Sequence, residues 1–564
     1  MSGTTAHAAG PIGVALRFIG ACREAAVRRL AAVDNYDLAA ALLFVTLIIV
    51  IGLTFEDYGI SNDEAVQQRY GELIIADYAS GFADQAVFHF KNLYLYGGLF
   101  DLAAIGLEKL VPLDPYAVRH LLSALTGLGG IAAAWAAARA IGGSRAGLLA
   151  SLALALCGTW YGAMFNHTKD IPFAAAMMGA LYYLLRIGRE LPRPRWRLVA
   201  LFGVMCGCAL GIRVLGLFLV GYAALALLLH APISRGGTWR GVPAFAARSA
   251  TPLAAAFVIA YLIMIAAWPW AALAPLNPLR ALTTFVDFNY PISTILSGHV
   301  YEMADVPRWY VPNYIAIKLT LWLLVGAALA LVLAALPQRG ERASHDTWRK
   351  ETALVAFAAL FPLICHVAVN GPAFTGMRHF LFIVPPIAVL AGLGVSGLFA
   401  RLEAVNRPLA ALGLVLALAD LGFNATTLYR LHPDEYLFYN PLVGGLAGAS
   451  RKYVTDYWVN MMPEAVGDLE HYLDRTEGKG GKTLSRHYWV AVCSERVQFE
   501  KEADARLQWT RDINHAQFFI APTHMDCDES FGGKVIATVK RMGVVIGVVK
   551  DRRTMVGGSV AGLN

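Results

Sequence analysis

The sequence is poor in charge, and this scarcity excludes a first class of proteins. Asp, Glu, Lys and Arg make up only 15% of the 564 residues, and hydrophobic residues make up 57%. Soluble domains carry roughly 25% charged residues, so a purely water-soluble enzyme is excluded. Apolar runs of about 20 residues, the length of a membrane-spanning helix, recur along the first three quarters of the chain. The sequence therefore predicts a polytopic α-helical membrane protein.

Several catalytic and binding signatures are also missing. The chain has no P-loop, no G-x-S-x-G, no H-E-x-x-H and no paired C-x-x-C. Nucleotide hydrolysis, a serine-hydrolase elbow and a structural zinc site are therefore not expected. The net charge of +7 comes from short basic clusters between apolar runs, which is typical of membrane loops and not of a nucleic-acid-binding protein.

Hydropathy predicts about eleven transmembrane helices. The fifth and sixth share one apolar stretch, which we expect to break at Gly211–Arg213, because an arginine in mid-membrane costs several kcal/mol. The predicted spans are Leu38–Phe55, Leu121–Ala138, Gly147–Phe165, Ile171–Gly188, Leu198–Gly211, Val214–His230, Pro252–Trp268, Ile315–Leu336, Ala353–Val369, Phe380–Ala400 and Leu409–Phe423.

Loop charges predict the orientation. The N-terminus and the more basic set of loops are assigned to the cytoplasm by the positive-inside rule. No cleavage site precedes the first span, so we expect a retained anchor. An odd number of spans then places the C-terminus outside. This gives a cytoplasmic segment (1–37), a transmembrane domain (38–427) and an external C-terminal domain (428–564).

Two outer regions are expected to have secondary structure. In the first outer loop, Gly71–Ser80 and Leu93–Leu110 are half-apolar and predict helices lying in the membrane interface. In the C-terminal part, alternating patterns predict a small α/β domain. Its expected strands are Tyr488–Cys493, Gln517–Ala521, Val535–Val539 and Val544–Val549, and its expected helices are Pro463–Leu473 and Val497–Leu507. Of the seven cysteines, Cys493 and Cys527 lie in this part, and a disulfide between them is plausible in an oxidising compartment.

The acidic pair Asp63 and Glu64 follows the first span directly. A carboxylate held near lipid has a raised pKa through desolvation, which suits a general base acting on a hydroxyl. The alternative is that both acids solvate the loop or stabilise the first turn of a helix. Position alone leaves both explanations open.

A second polar segment lies between the third and fourth spans, on the same outer face. His167, Lys169 and Asp170 could bind a phosphate and orient a base, or Asp170 could serve as a helix cap ahead of Pro172. Further candidates on the outer face are the cations Lys91, Arg213, Arg378 and His379, which could hold a phosphate or merely attract anionic headgroups. The second outer loop adds the polar residues His299 and Glu302.

The order and sidedness of these motifs resemble the GT-C glycosyltransferases. The nearest likeness is to glycosyltransferase family 39, which holds protein O-mannosyltransferases and lipid A aminoarabinose transferases. The run Thr375–His379 leading into Phe382–Pro386 looks like the family's usual helix start, and Gly298-His299 with Pro307–Tyr310 resembles its second outer loop. Tyr439–Gly445 followed by Thr455–Trp458 is similar to a stretch in uncharacterised bacterial members. The resemblance covers residues 38–460.

The resemblance implies an inverting transfer of one sugar from a polyprenyl-phosphate donor to a hydroxyl acceptor at the outer membrane face. Asp63 would be the base, with Glu64 assisting or binding the acceptor, and Asp170 a second active-site acid. Arg213, Lys169 and Arg378 would hold the phosphate leaving group, so no nucleotide is expected. The first loop lacks the His-Pro-Pro stretch of the mannosyltransferases, and the chain has no room for their β-trefoil domain. These departures favour a lipid or polysaccharide acceptor over protein.

Three further expectations complete the sequence-based prediction. Asp63, Glu64 and Asp170 could together hold a divalent cation, Mg²⁺ or Mn²⁺. Alanine and arginine richness suggests a high-GC bacterium, hence an inner membrane with a periplasmic active face, and membrane lipids as partners. The alternative function is a lipid-linked sugar flippase. That alternative is weakened because the spans hold few acidic residues, with Asp420 the only candidate for ion coupling.

Overall fold

The structure is a computed structural model that describes residues 34–235, 239–286, 291–336, 342–477 and 487–556. Most of the predicted cytoplasmic segment, 1–37, lies outside the described residues. The membrane part consists of long helices joined by structured outer loops. Its helices of ten or more residues outside those loops are Asn35–Thr54, Pro115–Ala155, Asp170–Glu190, Trp196–Leu210, Phe218–His230, Val242–Ala267, Leu321–Ala335, Arg342–Val369, Val384–Val405 and Arg407–Leu431.

Each of the eleven predicted spans falls on a helical segment of the described chain. Among the described residues, seven helices are long and apolar enough to cross a membrane, and the pair Tyr310–Lys318 and Leu321–Ala335, bent by 110°, counts as an eighth if it is one broken span. The 41-residue helix Pro115–Ala155 holds the predicted span Leu121–Ala138 and the first half of Gly147–Phe165, separated at Gly143 with φ 84° and ψ 179°. The second half of that span forms the short helices Gly158–Tyr161 and Ala163–Asn166. A side chain would be strained there, so glycine permits the kink. The two remaining spans are the shorter apolar helices Trp196–Leu210 and Val214–His230.

The predicted break between the fifth and sixth spans is confirmed, and the close approach of Gly97 to Gly211 fixes the first outer loop against it. Gly97 N–H donates to Ile212 O (3.2 Å) and Leu99 N–H donates to Gly211 O (3.0 Å). A Cβ on Gly97 would lie 2.0 Å from Gly211 O, so only glycine allows this approach. The first outer loop is thereby held beside Arg213.

Two helices lie at the centre of the bundle. Asp170–Glu190 and Val384–Val405 are buried along most of their length, whereas Asn35–Thr54 and Arg407–Leu431 lie at the periphery with exposed apolar faces. Both central helices begin at the same end of the bundle, next to residues 167–170 and 378–383. The sequence-based orientation assigns this end to the outer face.

The first outer loop is helical, with bounds that differ from those predicted. Its first helix is Glu64–Ala79, so it begins seven residues before the predicted start. The segment predicted as one helix over Leu93–Leu110 is a short turn at Leu93–Leu95 followed by the helix Leu99–Glu108. The glycines at 97 and 98 interrupt it, because this part of the backbone hydrogen-bonds to other helix ends.

The second outer loop contains two short helices and a hairpin. The helices are Pro269–Leu273 and Asn277–Val286. Strand β1 (Ser293–Leu296) pairs antiparallel with β2 (His299–Glu302), Leu296 opposite His299. Tyr310, in the helix Tyr310–Lys318, bonds to Thr294 of β1 (2.5 Å), which ties the hairpin to the membrane part.

The C-terminal part forms the predicted α/β arrangement around one mixed sheet. Its strands are β3 (Tyr488–Val492), β4 (Leu507–Trp509), β5 (Phe518–Pro522), β6 (Lys534–Arg541) and β7 (Val544–Asp551), in the order β4-β3-β5-β7-β6. β3 is parallel to β4 and β5, and β7 is antiparallel to β5 and β6. The helix Met462–Glu477 packs on this sheet. The predicted helix Val497–Leu507 is wrong in extent: it ends at Glu500, and Leu507 begins β4.

The C-terminal part is fastened internally and to the membrane part. Cys493 and Cys527 form the disulfide considered from the sequence. Gln498 donates its side-chain amide to the carbonyls of Ile60 (2.5 Å) and Trp458 (2.7 Å). Arg541 of β6 pairs with the buried carboxylate of Asp434 (2.7 Å). The Gln498–Ile60 contact joins the C-terminal part to the start of the first outer loop, and the other contacts are internal to the C-terminal part.

Candidate active site

Four predicted site residues meet in one chain of ion pairs. Arg378 donates from Nη2 to Asp63 and from Nε to Asp170 Oδ2 (2.9 Å). Arg213 donates to the other oxygen, Asp170 Oδ1 (2.5 Å). The order is therefore Asp63, Arg378, Asp170, Arg213, and we call these four residues the acid–arginine cluster.

Each member of the cluster is supplied by a different element, at its start or at a break between helices. Asp63 precedes the helix Glu64–Ala79, and Asp170 begins the helix Asp170–Glu190. Arg213 lies at the break between two short spans, in extended conformation (φ −141°, ψ 139°). Arg378 opens the 3-10 turn Arg378–Ile383, which leads into the central helix Val384–Val405. The ends of four chain segments thus converge on one point.

The cluster is buried at one end and open at the other. The side chain of Asp170 is 3% exposed and those of Arg213 and Arg378 are 9% exposed. The Asp63 side chain is 41% exposed. Oδ2 of Asp63 bonds to Arg378, and no described residue bonds to its Oδ1. Asp63 is thus the member that a substrate can reach.

The charges around Asp63 keep it ionised. Its protein surroundings by themselves would raise the pKa of Asp63, but Arg378 and Lys169 outweigh that effect and lower the pKa below its ordinary value. The sequence-based expectation of a raised pKa is therefore wrong, because two cations lie close to this carboxylate. At neutral pH Asp63 is an available proton acceptor of modest basicity.

Lys169 and Arg213 share one aromatic wall. The Lys169 ammonium lies 4.4 Å from the ring centroid of Tyr96, and the Arg213 guanidinium lies 5.8 Å from it. Burial lowers the pKa of Lys169 to about 8, although Asp63 and Asp101 oppose this. The ammonium therefore remains mostly protonated near pH 7. Two cations on one face suit an anion with several acceptor oxygens, such as a phosphate.

His167 belongs to an aromatic layer behind the cluster. Its Nε2 lies 2.5 Å from the hydroxyl of Tyr457, and Trp458 donates its indole N–H to the same ring nitrogen (3.0 Å). Burial lowers the pKa of His167 to about 3, despite the opposing effect of Asp170, so the imidazole is neutral at pH 7. His167 is thus positioned by aromatic residues and brings no positive charge for a phosphate.

Two aromatic residues of this layer were not assigned a site role from the sequence. The guanidinium of Arg378 lies 4.2 Å from the ring centroid of Trp458. Tyr457 and Trp458 follow the last transmembrane helix by more than twenty residues, so only the fold brings them to the cluster. The only indication of their role in the sequence was the Thr455–Trp458 stretch, which is part of the family resemblance.

Lys318 is a further buried cation that sequence reasoning missed. It is 6% exposed and donates to the Tyr436 carbonyl (2.7 Å), with its ammonium 4.1 Å from the Tyr439 ring centroid. Together with His167, Arg378 and Tyr457 it lines a small cavity of about 20 Å³ behind the cluster. Hydropathy gave no indication of it, because Lys318 lies within the otherwise apolar predicted span Ile315–Leu336.

Glu64 does not join the cluster. It is fully buried, accepts the backbone N–H of Ser61 (2.6 Å) and pairs with His120 (3.1 Å). These contacts close the turn that presents Asp63 and hold it to the helix Pro115–Ala155. The geometry therefore makes Glu64 a positioning residue, in contrast to the predicted assisting or acceptor-binding role.

Three other predicted site residues make no described hydrogen bond or ion pair with the cluster, and a fourth is next to it in sequence. Lys91 is exposed and has no hydrogen bond or ion pair within the described chain. On β2, His299 and Glu302 are exposed, and Glu302 bonds to Ser293 (3.0 Å). His379 is adjacent to Arg378 and stacks edge-on against Phe374, with ring centroids 4.7 Å apart.

The three acids Asp63, Glu64 and Asp170 do not fit a divalent-cation site. Asp63 and Asp170 both face Arg378, and Glu64 faces His120, so guanidinium and imidazole groups occupy the positions that a cation would need. Within the described residues there is no group of three or more His, Cys, Asp or Glu able to hold a metal. The predicted three-carboxylate site is not assembled.

Comparison with known proteins supports the family resemblance for part of the chain. Residues 116–270 match the model of the family described as dolichyl-phosphate-mannose-protein mannosyltransferase. This confirms the predicted resemblance over a segment that includes His167, Lys169, Asp170 and Arg213. Asp63 and Arg378 lie outside it. No curated protein sequence matches the chain significantly.

Two solved membrane-protein structures are similar to this chain at low sequence identity. ArnT from Cupriavidus metallidurans bound to undecaprenyl phosphate is 14% identical, with a TM-score of 0.48, over 90% of this chain and 97% of that one. The archaeal oligosaccharyltransferase AglB from Archaeoglobus fulgidus, in complex with an inhibitory peptide and a dolichol-phosphate, is 12% identical. Its TM-score is 0.45, over 85% of this chain and 69% of that one.

Proposed function

We propose that this protein is an inverting membrane glycosyltransferase that moves a sugar from a polyprenyl-phosphate donor to a hydroxyl acceptor. The observation that supports the proposal is the acid–arginine cluster, in which ion pairs through Asp170 join the exposed carboxylate of Asp63 to two buried cations. These cations are Arg213 and Arg378. The family match over residues 116–270 and the lipid phosphates bound by ArnT and AglB support the donor class.

The cluster suggests a division of roles along its length. Asp63, at the open end, accepts the proton of the acceptor hydroxyl as that oxygen forms its bond to the anomeric carbon. The bond from that carbon to the phosphate oxygen breaks at the same time, and the leaving lipid phosphate keeps the electron pair. Arg213, at the other end, stabilises the phosphate charge together with Arg378 and with Lys169, which shares the Tyr96 ring with Arg213.

Asp170 holds the two arginines at a fixed separation. It accepts from both guanidinium groups and is nearly inaccessible, so we assign it a positioning role and not that of a second base. Without it, two buried cations would repel each other.

We further propose that the reaction needs no divalent cation at these acids. The phosphate charge that a metal would neutralise is balanced here by Arg213, Arg378 and Lys169. We also propose a bacterial inner membrane location, with the N-terminus in the cytoplasm and both the cluster and the C-terminus in the periplasm. The acceptor class we favour is a lipid or polysaccharide.

The proposal is tested by label transfer in proteoliposomes. Wild type, Asp63→Asn and the control Asp84→Asn receive polyprenyl-phosphate mannose, glucose or aminoarabinose with a membrane extract as acceptor, with and without EDTA. Asp84 is an exposed carboxylate of the same loop that bonds to the backbone of Ala86 (3.0 Å). We expect wild type and Asp84→Asn to transfer label equally, Asp63→Asn to lose at least about a hundredfold as expected for a lost general base, and EDTA to have no effect.

Other outcomes would contradict the proposal. Full activity in a folded Asp63→Asn variant would remove Asp63 as the base. Loss of activity with EDTA, restored by Mg²⁺ or Mn²⁺, would refute the metal-free mechanism. If no donor yields a product while wild type moves the lipid across the bilayer, the flippase alternative is correct.

A further inference from the structure

A buried carboxylate outside the acid–arginine cluster has no partner. Asp77, in the last turn of the helix Glu64–Ala79, is 1% exposed. Neither carboxylate oxygen accepts a hydrogen bond from any described residue. An unpaired buried carboxylate costs several kcal/mol, so such a group signals an absent partner. Burial, with a smaller effect from Asp84, raises the pKa of Asp77.

Asp77 lines a large recess between the first outer loop and the outer end of the seventh span. The recess has a volume of about 620 Å³. Apart from Asp77 and Gln85 its walls are apolar or aromatic. They comprise Tyr78, Phe82, Phe88, Leu262, Ile265, Ala266, Pro269, Ala272 and Leu273. Tyr78 donates to the Ala266 carbonyl (2.9 Å), so its hydroxyl is already used and joins the two walls.

The recess opens at the level of the membrane surface. Leu262 lies in the candidate span Trp239–Ala267 and is 56% exposed, and Leu273, just beyond the end of that span, is 65% exposed. On the loop side, Phe82 is 67% exposed. Exposed apolar side chains at this position lie against lipid, so a lipid chain can enter the recess from the side.

The recess is separate from the acid–arginine cluster. Asp63 and Asp77 stand at opposite ends of the same helix, fourteen residues apart, which at 1.5 Å per residue is about 20 Å. A headgroup held by Asp77 is therefore outside bonding distance of Asp63.

We propose that this recess is a binding site for a membrane amphiphile with a primary ammonium head, paired with Asp77, and an apolar chain along Leu262–Leu273. An ammonium supplies both the charge and the hydrogen bonds that Asp77 lacks. A phosphate or carboxylate head would place a second negative charge beside Asp77 and is disfavoured, so the recess does not suit the polyprenyl-phosphate donor. This site is independent of the transfer reaction.

The site is tested with photoreactive amphiphiles that differ only in their heads. Full-length protein in phosphatidylcholine nanodiscs is labelled with octadecylamine, octadecanol or octadecanoic acid carrying the same mid-chain diazirine. Labelled peptides are then mapped by mass spectrometry. We expect labelling of 262–273 by the amine to exceed labelling by the acid at least about tenfold, as a buried charged pair would give.

Two variants and one control identify the source of the selectivity. In Asp77→Asn, the preference for the amine should fall below about twofold, because the amide has no charge. Ala272→Trp should reduce labelling by all three probes, because it fills the recess. Glu72→Gln, which removes an exposed carboxylate of the same helix paired with Arg69, should behave as wild type.

The proposal is overturned if wild type labels equally with all three heads, or if Asp77→Asn keeps the preference for the amine. Labelling confined to peptides outside 77–88 and 262–273 would also overturn it. None of these results depends on sugar transfer, so the proposed glycosyltransferase activity can fail while this site stands, and the reverse.

Discussion

Removal of Arg378 should shift the pH dependence of transfer, because this guanidinium keeps the pKa of Asp63 low. Two unit charges 4 Å apart interact by about 4 kcal/mol at an effective dielectric constant of 20. The Asp63 side chain is 41% exposed, so solvent screening reduces the interaction to about 1–2 kcal/mol. Since one pH unit corresponds to about 1.4 kcal/mol, Arg378→Gln should move the acidic limb upward by about one unit.

The sign follows from the charges around the base. In the wild type the pKa of Asp63 is below its ordinary value, so the ionised form persists well into the acidic range. Without Arg378, only Lys169 opposes the effect of the protein surroundings, which raises the pKa. The variant should therefore lose activity at a higher pH than the wild type.

The assay is the pH profile of kcat/KM for residual transfer in proteoliposomes, since this parameter reports groups of the free enzyme. Arg213→Gln is the matched control: it also removes a cation bound to Asp170, but it does not contact Asp63. We expect its acidic limb to stay within a few tenths of a unit of wild type. The reasoning would be refuted if the acidic limbs of wild type, Arg378→Gln and Arg213→Gln coincide. It would also be refuted if Arg213→Gln shifts the limb as far as Arg378→Gln does.

Three further predictions follow from other contacts. Glu64→Gln should lower the unfolding temperature but keep most of the transfer activity, because Glu64 supports the turn and is not the base; loss of activity at unchanged KM and stability would contradict this. Reduction of Cys493–Cys527, which closes a 34-residue separation, should destabilise the C-terminal part by about 3–4 kcal/mol in denaturant unfolding, against a Cys→Ser double variant insensitive to reductant. Arg541→Met should destabilise by about 3–5 kcal/mol, because it leaves the buried Asp434 with the Asn460 amide but no cationic partner. Burial and Asp456 raise the pKa of Asp434, so the ionised form is the costly one. The loss should therefore be larger at pH 8 than at pH 5, and the opposite order would be inconsistent with this pairing.

The sequence predicted the membrane architecture well, because hydrophobicity and length are local properties. The break at Gly211–Arg213 followed from the cost of an arginine in mid-membrane, and the structure places Arg213 at that break. The kink at Gly143 falls between the predicted spans Leu121–Ala138 and Gly147–Phe165, where Arg139 and Arg145 interrupt the apolar run. The bend between Tyr310–Lys318 and Leu321–Ala335 was not predicted, because it lies within an apolar stretch and hydropathy has no signal for it.

The candidate site could be predicted only in part. Asp63, Asp170, Arg213 and Arg378 could be nominated because each is a charged residue at the outer end of an apolar run. Whether two adjacent acids share a role could not be predicted. Asp63 faces Arg378 while Glu64 faces His120, because successive residues entering a helix point about 100° apart.

The sequence by itself determined which segments enter the membrane, which face is basic and which charged residues lie near the outer surface, since these depend on the transfer free energy of each segment alone. The tertiary structure decided which charges pair. It brought Trp458 over Arg378, left Asp77 without a partner among the described residues, and left Lys91 and His299 exposed with no contact to the cluster. Such pairings depend on distances between segments remote in the chain, and only the packing of the helices sets those distances.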